Sequence, residues 1–81
     1  MADRSIKFRR LRKILKRYGV EWDPTHGKGS HGCFYKQMEG GLFTYPVPDE
    51  KDTLICYVRG CRKKFKLTTE DGISDREFYE E

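Results

Sequence analysis

At 81 residues the chain can build one domain with a thin core but no deep enclosed pocket, so any chemistry must sit near its surface. Hydrophobic residues make up 36% and charged residues 37%, yet aromatics reach 14%, which excludes a chain that stays disordered. The net charge of +4 is unevenly spread: residues 1–36 carry ten Lys or Arg against three acids and residues 37–81 seven against ten, so the first half is where an anionic polymer would be met.

Phe8, Leu11, Leu15 and Tyr18 recur at helical spacing, which predicts an amphipathic helix over residues 3–18, capped by Asp3 or Ser5 and stopped by Gly19. Its outer face holds Lys7, Arg9, Arg10, Arg12, Lys13, Lys16 and Arg17. Of these, Arg9, Arg10, Lys13, Lys16 and Arg17 are candidate contacts for an RNA backbone, although such a face is as often simply solubilising. Residues 20–23 read as a short strand ending at Pro24, and 25–29 as a loop. Residues 31–38 are rich in β-formers, Glu39-Gly40-Gly41 supplies a tight turn, and 42–47 a second strand, so the stretch reads as a hairpin ended by Pro46 and Pro48.

A second helix is expected from Asp52 or Thr53, with Asp52 as its cap and Leu54, Val58, Cys61 and Phe65 on one stripe; Gly60 weakens it slightly. Past Leu67 comes a turn closed by Gly72. Ser74 and Glu77 then have capping-box spacing before Phe78 and Tyr79, which predicts a short terminal helix. The fold class is α+β, αβββα in order: a three-stranded antiparallel sheet packed by two helices, with a short C-terminal helical appendix. One domain spans residues 1–81, its core about 5–67 and its appendix about 68–81. That appendix, acidic apart from Arg76, is expected to lie away from a bound phosphate backbone. Double-stranded-RNA-binding domains use the same layout.

The densest chemistry lies in Gly27-Lys28-Gly29-Ser30-His31-Gly32. Glycines permit close approach, so amides near Gly29 and Ser30 can point at a phosphate while Lys28 supplies a compact charge. Imidazole titrates near neutrality, so His31 qualifies as a general acid or base. An RNA 2′-hydroxyl attacking the adjacent phosphorus needs no protein nucleophile and no metal, only proton transfer and stabilisation of the phosphorane charge. Taken singly, a Gly-Lys-Gly loop is more often a plain connection and a strand-edge histidine more often structural.

A nucleotide-binding P-loop is excluded, because Trp22 stands where that motif needs its first glycine and Gly29 where it needs Ser or Thr. His26 and His31 lack a third ligand at zinc spacing, so no metal is expected. Three cysteines leave one unpaired in any disulfide scheme, and the basic N-terminus has no apolar h-region, so the expected compartment is the reducing cytoplasm. Cys56 and Cys61 fall about 140° apart on their helix, too divergent to grip a metal or each other. No apolar stretch is long enough for a membrane span. Trp22 and Phe34 are expected in the core; Tyr35 is open between core and base stacking.

The run Gly-Lys-Gly-Ser-His31-Gly-Cys-Phe34, then Tyr45-Pro46, then Thr53-Leu54 opening a helix, then Gly72-Ile-Ser-Asp-Arg-Glu-Phe78, resembles the HicA (YcfA-like) family over nearly the whole chain after residue 5. The resemblance implies a double-stranded-RNA-binding-like αβββα fold, an mRNA-cleaving toxin of a type II toxin–antitoxin pair, and a HicB-like antitoxin protein covering the active site. It puts the catalytic histidine at His31, with Gly29 and Ser30 in the family's loop and no cofactor. The chain departs from the pattern at Gly32, and at Val47 and Pro48, where many members carry further histidines. The competing readings are a noncatalytic RNA-binding module and a protein-interaction subunit whose basic face meets an acidic partner.

Overall fold

A computed structural model of the protein describes residues 3–25 and 31–80, without the side chain of His31. The elements run β1 (Ile6–Lys7), α1 (Phe8–Arg17), β2 (Glu21–Asp23), β3 (His31–Met38), β4 (Gly41–Pro48), β5 (Asp52–Thr53), α2 (Ile55–Lys64), a 3-10 turn (Thr69–Asp71) and α3 (Asp75–Tyr79). The architecture is α+β, with β2, β3 and β4 forming an antiparallel sheet in that order.

The hairpin falls where its sequence puts it. Gly40 and Gly41 have φ of 99° and 129°, and β3 and β4 are in register from Met38 opposite Gly41 to His31 opposite Pro48. β4 is an edge strand, which is why it tolerates Pro46 and Pro48: neither has an N–H to give to the ladder. Partners across a ladder share a face, so Trp22, Phe34 and Tyr45 point together, and this face takes both helices. Phe8 of α1 packs on Trp22 and Phe34, while Gly60 of α2 lies directly under the Tyr45 ring, where any larger residue would strike the phenol. Glycine at position 60 is therefore the residue that lets α2 approach the sheet, which is worth more than its helix propensity costs.

Two expected helix starts are corrected. α1 begins at Phe8 and not at Asp3, because Ile6–Lys7 pairs antiparallel with Asp52–Thr53 in a separate two-stranded ribbon. α2 begins at Ile55 for the same reason, and Leu54, expected on the buried stripe, is 59% exposed. Neither of these two helices uses its expected cap: Lys7 and Leu54 occupy the cap positions without side-chain hydrogen bonds, and the amide of Phe8 is taken by the Lys51 carbonyl at 2.9 Å. Asp3 and Ser5 are used elsewhere, Ser5 donating to the Thr53 carbonyl at 2.8 Å. The terminal helix forms as expected, with Ser74 Oγ accepting from the Glu77 amide at 3.0 Å.

Phe8, Leu11, Ile14 and Leu15 of α1, Val58, Cys61 and Phe65 of α2, and Phe34 and Val47 of the sheet are buried in one cluster, with Phe78 and Tyr79 of α3. α3 reaches that cluster by lying against both longer helices, its Phe78 ring stacked on Tyr18 and under the Arg62 guanidinium. Trp22 is half-buried and Phe34 fully buried, as their expected core role requires, and Tyr35 is half-buried.

Candidate functional site

His31 is the first residue of the central strand β3 and pairs with Pro48 of β4, while the pairing of β3 with β2 begins only at Cys33, opposite Asp23. Lys28, Gly29 and Ser30, and the imidazole of His31, lie outside the described residues. Gly32 sits against Trp22: a Cβ on it would come within 2.6 Å of the indole Cη2 and 2.8 Å of the Asp23 carbonyl oxygen. Trp22 is fixed there by Phe8, edge-on at 4.8 Å, and by Phe34 at 4.7 Å. Position 32 therefore has no room for a side chain, since the indole fills the space it would need.

Of the five basic residues singled out on α1, Arg9, Lys13 and Lys16 project freely into solvent, and Arg17 is also exposed. Arg10 and Arg17, two turns apart, lie on the flank that meets α3. Arg10 donates to the Tyr79 carbonyl at 2.6 Å, and Arg17 to the Phe78 and Glu77 carbonyls at 3.3 and 3.4 Å. The acidic appendix is thus docked along the edge of the basic face. It is helix C-terminal carbonyls, which carry partial negative charge, that receive the guanidinium groups.

A polar cluster that sequence reasoning missed stands behind α3. Arg62 is 3% exposed and fully engaged: Nη1 donates to Asp3 at 2.8 Å and Asp75 at 2.7 Å, Nε to the Leu67 carbonyl at 2.9 Å and Nη2 to the Ile73 carbonyl at 3.0 Å. Burial works against its charge, but the two carboxylates more than restore it, and the Arg62 hydrogen bond in turn holds the Asp75 carboxyl below its usual range. Tyr79 donates to Asp3 at 2.9 Å, and its hydroxyl is pushed up, first by burial. The signal was present in the spacing, because residues 58, 61, 62 and 65 form one helical stripe and place Arg62 on the buried side of α2.

The three cysteines are free; Cys56 is exposed and Cys61 is buried, with its thiol pushed up by that burial. Among the described residues no cluster of three or more His, Cys, Asp or Glu could hold a metal, and no helix is long and apolar enough to cross a membrane. Set against protein-family models, curated proteins and solved structures, the chain matches none of them.

Proposed function

We propose that this protein is a metal-independent endoribonuclease of the HicA toxin type, built on a double-stranded-RNA-binding-like fold and acting in the cytoplasm on mRNA until a HicB-like antitoxin covers it. The observation that carries the reading is the position of His31: first residue of the central strand of a three-stranded sheet, directly after the Gly-Lys-Gly-Ser segment and at the end where the basic helix begins. The ladder to β4 holds the His31 backbone in an ordered strand, and positioning is much of what a general acid or base contributes. In this reading His31 moves the proton as the ribose 2′-oxygen bonds to phosphorus and the bond to the 5′-oxygen breaks, leaving a cyclic phosphate and a 5′-hydroxyl. Lys28 and the Gly29 and Ser30 amides steady the phosphorane, and Arg9, Arg10, Lys13, Lys16 and Arg17 draw in the strand.

The noncatalytic RNA-binding alternative is favoured by one observation, the indole lying over Gly32, which leaves room for a single histidine at this end. Incubating the purified protein and its His31→Ala variant with RNA in EDTA separates the two. Scission by the wild type alone supports the nuclease; binding by both without scission supports the module; equal cleavage by both removes His31 from the chemistry.

A further inference from the structure

At the start of α1, Arg4, Lys7, Arg9 and Arg10, with Ser5 and Ile6, enclose a surface concavity of about 390 Å³ that has no acidic residue in its lining. Four cations gathered around one hollow repel one another. Asp3 accepts from Arg62 and Tyr79 and Asp52 pairs with Lys7 at 3.3 Å, while Asp49 and Glu50 border a neighbouring hollow of Lys7 and Arg9, and Glu80 one of Arg4, so the nearby acids lie outside this lining. Two of the guanidinium groups are pre-positioned by one residue. Arg4 lies over the Tyr79 ring at 4.5 Å, and Arg10 donates to the Tyr79 carbonyl at 2.6 Å. Fixed, planar, permanently charged donors around a hollow match the tetrahedral oxygens of a phosphate. The first turn of α1 adds to the mismatch, for it holds no acid and no side-chain cap but does hold Arg9 and Arg10, at the end of a helix that favours anions.

We propose that this concavity is a phosphate-binding site that takes a backbone phosphate of the RNA strand, and as to the source of the phosphate it rests on the RNA-directed reading above. The location fits. Pro48 pairs with His31, Asp52 follows four residues later and pairs with Lys7, so the hollow lies within about 20 Å of the His31 backbone. The site thus holds the strand at a fixed distance from the cleavage point, a role distinct from diffuse attraction by the outer face of α1.

The test uses the full chain, ¹⁵N-labelled, titrated separately with inorganic phosphate and with a short single-stranded RNA, with sodium chloride at matched ionic strength as control. Both probes are expected to shift the amides of residues 4–10, chloride is not, and Arg4→Gln/Arg9→Gln is expected to abolish those shifts while keeping a dispersed spectrum. The same double variant should bind RNA about tenfold more weakly, with a salt slope reduced by about 1. Arg4→Lys/Arg9→Lys, which keeps charge but not the fork, should recover part of the affinity. Phosphate shifts at residues 4–10 with no RNA binding by the wild type would keep the site and sink the RNA reading. RNA binding of unchanged affinity and slope in the Gln variant, or no phosphate shifts at residues 4–10, overturns the site and leaves the RNA reading standing.

Discussion

A single methyl group added at Gly32 would have to displace either an indole held on two sides by phenylalanine rings or a strand carbonyl, and neither can move far in a packed interior. Gly32→Ala is therefore expected to cost about 1–3 kcal/mol, the range for overpacking, and Gly32→His more. Urea unfolding measures this, and the cause is separated from backbone effects by pairing Gly32→Ala with Trp22→Leu. If the indole is what the methyl strikes, the second substitution recovers most of the loss made by the first. An additive double variant would mean that the Asp23 carbonyl or the backbone dominates. For the same reason, a histidine placed at position 32 is expected to lower stability without adding a proton relay.

Arg62 and Asp75 make a second prediction at this scale. Asp75 is held below the ordinary carboxylate range by Arg62, so its ion pair stabilises the fold above the unfolded pKa of about 3.9 and is lost as pH falls through the lower folded value. Asp75→Asn should therefore lower the Tm at pH 7, and the gap to the wild type should close as pH falls from 7 through the folded value, below which both carry a neutral group at position 75. A constant gap across that range would show that the pair contributes no pH dependence. Arg62→Met, which takes the shared guanidinium donor from Asp3 and Asp75, is expected to lower the Tm at pH 7 by more than Asp75→Asn does.

Among the elements, α3 is the one whose role the sequence understates. Five residues with acidic neighbours read as an appendix, yet Phe78 is fully buried and Tyr79 nearly so, and the Arg10 and Arg17 side chains of α1 hold its carbonyls. Phe78→Ala is expected to cost about 3–5 kcal/mol, as for a core aromatic, where an appendix residue would change stability by less than about 0.5 kcal/mol; thermal unfolding distinguishes the two. What was legible follows from the range of the forces involved. The hairpin, Gly19, the α1 stripe and the Ser74 cap are set by neighbours a few residues apart, and each appears where periodicity and turn chemistry put it. The β1–β5 ribbon joins residues 6–7 to 52–53, and Asp3 meets Arg62 and Tyr79, so the true starts of α1 and α2 depend on partners that no local window contains. The candidate site divides in the same way. His31 and the glycine segment announce themselves by composition, whereas the contact of Trp22 with Gly32 and the basic hollow at Arg4 and Lys7 exist only once the strands pair and α3 docks.

For the whole molecule, the basic excess of the first half is not one uniform surface. α1 distributes it by angle around its axis: Arg10 and Arg17 face α3 and are bonded to its carbonyls, while Arg9, Arg12, Lys13 and Lys16 face solvent. Charges of the first kind contribute mainly to stability, because a hydrogen bond from a charged donor to a half-buried carbonyl is worth about 1.5–3 kcal/mol. Those of the second kind contribute little to stability and act through the field they present to a polyanion. Arg10→Ala/Arg17→Ala should therefore lower the Tm clearly, whereas Arg12→Ala/Lys13→Ala/Lys16→Ala should unfold like the wild type. RNA affinity should show the opposite ranking in its salt dependence: the triple variant loses about 2 from the slope of log K against log salt, at about 0.7 per phosphate contact for a single strand, while the Arg10/Arg17 pair loses less. Measuring both properties on both variants matters, because a protein whose basic helix served only to hold α3 would show the stability difference and no difference in salt slope.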